Sequence, residues 1–122
     1  MKRLMTAVLI SSAAAFLAAG CGGSSDSSTA GEVGSGKLTG SVGPGFEISM
    51  DQTTAAAGDY ELTVNDQSDQ HNFHLTGPGD VDVMTEVGSI GEEPFTVTLE
   101  PGTYTFVCDA HASSMKGTLT VE

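Results

Sequence analysis

The sequence predicts an all-β domain, a sandwich of about seven short strands. Three observations predict it. Four segments alternate apolar and polar residues with a period of two, turn-forming residues separate them, and no eleven-residue window carries helical spacing. Strands of that length and number between residues 37 and 122 make two sheets over one thin core.

The elements follow in order. "GPGF" at 43–46 is a turn, and "QTTAAAGD" reads as a loop more easily than as one helical turn. "YELTVND" sets Tyr60, Leu62 and Val64 against Glu61, Thr63 and Asn65. "NDQSDQ" at 65–70 turns the chain into "HNFHLTGPG", where His71, Phe73 and Leu75 share one face and Asn72 and His74 the other. "TGPGD" at 76–80 is the next turn. "VDVMTEVGSIGEEP" carries the weakest pattern and reads as an edge strand followed by a loop. "FTVTLE" alternates Phe95, Val97 and Leu99 with threonines, and "EPGT" at 100–103 turns the chain. "GTYTFVC" puts Tyr104, Phe106 and Cys108 on one face, and "KGTLTVE" sends Leu119 and Val121 inward.

Ahead of this domain the composition changes. Residues 1–20 open with Lys2 and Arg3, run apolar from Leu4 to Ala19 and end in small residues, the anatomy of a secretory signal. A retained membrane anchor is the alternative, disfavoured by the short, alanine-rich run. The cleavage zone "FLAAGC" ends in Cys21 and resembles the lipobox of bacterial lipoproteins, with Leu17 one place further from the cysteine than usual. Lipid on Cys21, the alternative being ordinary cleavage, would leave residues 21–36 as a flexible Gly/Ser tether. The expected location is outside the cell membrane or in a periplasm, held by that lipid alone.

All sixteen acidic residues follow Cys21, opposed there only by Lys37 and Lys116, a formal charge of −14. Such a surface argues against nucleic acid or anionic lipid as partners and would draw a cationic one. Simple solubility accounts equally well for many of those charges. If Cys21 carries lipid, Cys108 has no partner; a disulfide between them would tie the tether to the far end of the domain. A thiol kept outside the cytoplasm is buried, reactive or bound to metal.

The segment "CDAHASSMKG", 108–117, answers that. Cys108 ends a strand on its core side, and His111 and Met115 follow within one tight connection to the last strand. Thiolate, imidazole and thioether together select copper, and an electron-transfer site of this kind needs a second histidine from another strand. Strand parity chooses His71, which shares the face of Phe73 and Leu75; His74 is expected to be a solvated surface or supporting residue.

With these residues in hand, "HNFHLTGPG" followed by "PGTYTFVCDAHASSMKGTLTV" resembles the cupredoxins, the plastocyanin-like blue copper proteins, from about Gly45 to Glu122. The resemblance implies a Greek-key β-sandwich holding one type 1 copper ion on His71, Cys108, His111 and an axial Met115. It implies that Asn72 pins the two ligand-bearing segments together and that Tyr104 and Phe106 approach the cysteine. The spacer "ASS" between His111 and Met115 is shorter than plastocyanin's and longer than amicyanin's.

Four protein ligands leave no position for substrate, which argues against an enzyme. The function expected is single-electron transfer by a monomer, to a redox protein with a basic patch: a cytochrome, a copper enzyme or a dehydrogenase. The alternatives are buffering or delivery of copper to a membrane oxidase, or a non-redox accessory sandwich.

Overall fold

A computed structural model describes residues 34–122. The expected signal, the expected lipid site at Cys21 and the expected tether up to residue 33 lie outside the described residues. The strands are β1 (Gly34–Val42), β2 (Ile48–Met50), β3 (Thr54–Ala55), β4 (Gly58–Asp66) and β5 (His74–Gly77). They continue with β6 (Val81–Met84), β7 (Gly91–Leu99), β8 (Gly102–Val107) and β9 (Lys116–Val121). One sheet has the order β2-β1-β4-β7 and the other β3-β9-β8-β5-β6. The chain is therefore all-β, as expected, and the only helical element among the described residues is a 3₁₀ turn, Asp109–His111.

Nine strands appear where about seven were expected, and each difference has a backbone cause. β1 begins at Gly34, inside the segment read as tether. Its ladder with β4 runs parallel from Gly34 opposite Gly58 to Val42 opposite Asp66. β3 is two residues long, too short for any alternation, and lies parallel to β9. β7 starts four residues before Phe95, and that first stretch is exposed throughout. With neither face covered, no apolar period marks it.

The core forms where the two inner faces meet. Leu38, Val42, Leu62, Val64, Val97 and Leu99 come from the first sheet, and Leu75, Tyr104, Phe106, Leu119 and Val121 from the second. Phe73 and Phe106 stack with centroids 5.4 Å apart and planes at 10°. Gly40 on β1 gives that stack its room, because a Cβ there would come 2.8 Å from the Phe73 ring. A wall of this kind holds the ligand-bearing ends of β8 and the β4–β5 connection in one place.

Candidate metal centre

β8 delivers the cysteine. Its alternation buries Tyr104, Phe106 and then Cys108, so the thiol reaches the core side where the strand ends. Cys108 keeps an extended backbone (φ −92°, ψ 119°) before the chain tightens into the Asp109–His111 turn. The His111 N–H donates to the Cys108 carbonyl at 2.9 Å, and the Met115 N–H to the His111 carbonyl at 2.8 Å. The Cys108 N–H then donates to the Met115 carbonyl at 3.0 Å and closes the loop. Only Ala112, Ser113 and Ser114 stand between His111 and Met115, small enough for so tight a return.

His71 arrives from the β4–β5 connection, held from two sides. On the inner side, the Phe73 N–H donates to Thr85 Oγ1 at 2.9 Å and the Thr85 N–H returns to the Phe73 carbonyl at 3.0 Å. The Thr85 hydroxyl in turn donates to the buried Asp66 carboxylate at 3.2 Å. On the outer side, the Asp109 N–H donates to Asn72 Oδ1 and Asn72 Nδ2 to Asp109 Oδ2, both at 2.8 Å. Asn72 thus bonds the residue after Cys108 twice, joining the two ligand-bearing segments.

These supports bring together three of the residues singled out from sequence. His71 Nδ1 lies 3.1 Å from His111 Nδ1, and Cys108 Sγ lies 3.7 Å from each. All three donor atoms fall within 4.8 Å of one another. Cys108 and His71 are buried, and His111 is partly exposed. Nitrogen and sulfur donors bound to one ion at about 2.0–2.3 Å lie about 3–4 Å apart, so the cluster is sized for a single metal. Met115 is fully buried on the same loop, its peptide bonded to both Cys108 and His111. A thiolate, two imidazoles and a thioether make a soft set that fits copper.

The structure differs from the sequence expectations around this cluster. Tyr104 does not approach the cysteine: its hydroxyl donates to the Pro78 carbonyl at 2.9 Å and accepts from the Glu100 N–H at 2.8 Å, at the far turns. Phe106, two residues from Cys108, stacks on Phe73, which is two residues from His71. His74 is no freely solvated residue, since its side chain is 20% exposed and both ring nitrogens meet carboxylates. Nδ1 lies 2.9 Å and 3.1 Å from the two Asp109 oxygens, and Nε2 lies 2.7 Å from Asp82 Oδ1.

The titration of these groups follows from their partners. Burial alone would push the His74 pKa down, but hydrogen bonds to Asp109 and Asp82, with their charges, outweigh it and raise the pKa above its ordinary 6.5. Asp109 is held below the usual carboxylate range, first by the Asn72 hydrogen bond and then by His74.

Two participants escaped the sequence reading. Phe46, in the turn "GPGF", caps both ligand rings edge-to-face, its centroid 5.4 Å from that of His71 and 5.0 Å from that of His111. Asp109 is the hub to which both Asn72 and His74 bind. Neither residue breaks a pattern in the chain; an aromatic inside a Gly/Pro turn was the only available signal.

The profile of the family described as "Copper binding proteins, plastocyanin/azurin family" matches residues 35–122. Among solved structures, the chain is similar to rusticyanin from Thiobacillus ferrooxidans at 20% identity, covering 70% of this chain and 76% of that one, with a TM-score of 0.51. A structure of rusticyanin variants is similar at 20% identity over 78% of this chain and 85% of that one, with a TM-score of 0.55. Auracyanin from the photosynthetic bacterium Roseiflexus castenholzii is 21% identical over 72% of this chain and 96% of that one, with a TM-score of 0.49. At such identities the rusticyanin structures speak for the fold alone. None of the curated proteins compared matches the chain.

Proposed function

The chain belongs to the copper-binding plastocyanin/azurin family, and on that premise we propose that it carries single electrons on one type 1 copper ion held by His71, Cys108, His111 and Met115. The convergence of a buried thiol and two imidazoles within 4.8 Å carries this reading. Copper supplies a one-electron couple at such a site.

The chain's own part is to keep the ligands from moving. The Cys108–Met115 loop is closed by its own backbone, and His71 is braced through Asn72 and Phe73. Rigid ligands suit a centre whose two oxidation states share one geometry, and four donors leave no position for a substrate. A carrier, not an enzyme, is therefore the reading.

The surroundings of His111 support docking of a redox partner there. The large apolar residues most exposed among the described ones are Phe46, Met84, Val87 and Ile90. Phe46 covers the ligand rings and Met84 stands opposite His74. Val87 and Ile90 lie on the connection that begins with Thr85, bonded to Phe73. An apolar pole on an acidic molecule suits a partner that presents an apolar centre rimmed by basic residues. Export and a lipid on Cys21 belong to the same proposal, supported by the basic, apolar and small-residue order of residues 1–21.

The test is to load the purified protein with copper and record its visible spectrum and voltammogram. An intense thiolate-to-copper band with reversible one-electron cycling is the expected result. Tight binding of Cu(I) without colour, followed by transfer to an acceptor, would replace the carrier with a delivery protein. An unchanged spectrum and melting temperature would remove copper from the account.

A further inference from the structure

His74 is outside the donor set, yet it sits inside a series of side chains that bond one another, Asp82, His74, Asp109 and Asn72. The outer face of the five-stranded sheet carries one row of paired residues: Met84 of β6, His74 of β5, Val107 of β8 and Lys116 of β9. Asp82, on β6 two residues from Met84, reaches diagonally to His74 Nε2 at 2.7 Å. Asp109, from the metal loop, meets Nδ1 at 2.9 Å. Lys116, beyond Val107, is the remaining charged residue of that row.

A neutral imidazole has one N–H and one lone pair. Between two carboxylates it would turn that lone pair against an oxygen on one side, so the geometry calls for a proton on each nitrogen. Asp109 is held on its other side by Asn72. The series Asp82–His74–Asp109–Asn72 therefore runs without a break from the edge strand to both ligand-bearing segments.

We propose that His74 is a positioning residue of the metal centre: an imidazolium clamp that locks the Asp109 carboxylate, and with it the Cys108–His111 turn, against β5 and β6. The ring supplies both the hydrogen bond and a charge. While it is protonated, Asp82, His74 and Asp109 together carry one net negative charge. Losing that proton makes the group more negative and loosens the loop. Added negative charge favours the more positive, oxidised ion, so the reduction potential falls as pH rises through the titration of His74.

The redox readouts rest on the copper reading, whereas the clamp itself is read in metal-free protein. There, nitrogen NMR of the full chain is expected to show both His74 nitrogens protonated at neutral pH. Asp82→Asn, on a side chain that is 67% exposed, should let that proton leave at lower pH. In copper-loaded protein the potential should step down over the pH range in which His74 titrates by NMR.

His74→Asn places an amide donor where Nδ1 stands but adds no charge, so it should keep the parent's absorption band and lose the step. His74→Ala should lose the step and displace the band. Should His74→Ala fail to fold, the parallel shift of NMR titration and potential step in Asp82→Asn carries the test. A singly protonated His74 at neutral pH in the metal-free protein overturns the clamp. So does a potential step that survives unchanged in His74→Asn. If copper does not bind at all, the NMR result still decides the clamp, and only the carrier reading is lost.

Discussion

Cys108 and His71 differ from His111 in how they are held, and single substitutions should separate their roles. The two buried ligands are almost completely shielded from solvent, whereas His111 is partly exposed. His71→Ala is expected to abolish the thiolate-to-copper absorption on copper titration, because no other imidazole shares its place. Met115→Leu should keep copper and raise the potential, since hydrocarbon replaces a weak donor that favours the oxidised ion; loss of all copper would show that the thioether is more than axial. The charged pair beside them sets a pH window for stability. Asp109 has a depressed folded pKa, so its contribution is present above the unfolded carboxylate range and is lost as pH falls through the folded value. His74 has a raised folded pKa, so its contribution is complete below about 6.5 and is lost as pH rises through the folded value. Urea midpoints of the parent minus those of His74→Asn should therefore be largest in weakly acidic solution and shrink toward both extremes.

Strands make the site possible by fixing where their ends meet. The stack of Phe73 on Phe106 joins the two segments that carry His71 and Cys108, and Gly40 leaves the gap into which Phe73 fits. Gly40→Ala should push that ring aside at a cost of about 1–3 kcal/mol. A urea melt of the metal-free protein would show it, with weaker copper retention alongside. An unchanged midpoint would mean that the ring has room the packing does not reveal. This level also explains what could be read from the chain in advance. β4, β8 and β9 were legible because each covers one face, and a covered face writes a period of two into the sequence. β1 near Gly34, the two-residue β3 and the exposed start of β7 write no such period; backbone pairing alone makes them strands. His71 was legible by the same parity, whereas His74 was not. Parity says that a residue faces outward, but it cannot say that Asp82 and Asp109, on other segments, will be there to meet it.

At the scale of the molecule, the proposed docking divides the work of meeting a partner between charge and apolar surface. From Cys21 onward the chain carries a formal charge of −14, while Phe46 lies exposed against both ligand rings and Met84, Val87 and Ile90 are the other exposed large apolar residues among the described ones. Long-range attraction depends on the net charge and is screened over about 10 Å at 0.1 M salt; in the proposed docking the final contact depends on the apolar surface at Phe46. The two can be told apart with small redox reagents and one variant. Oxidation of the reduced copper protein by a cationic cobalt(III) complex should slow as salt is added, and oxidation by an anionic iron cyanide should quicken. Phe46→Ser removes an exposed ring without touching a charge. It should leave both salt slopes as they were and change the rates at every salt concentration by a common factor, because the cap over His71 and His111 has gone. Rates that ignore salt with both reagents would show that the acidic surface does not steer. A change in salt slope in Phe46→Ser would mean that approach and contact are not separable at this pole.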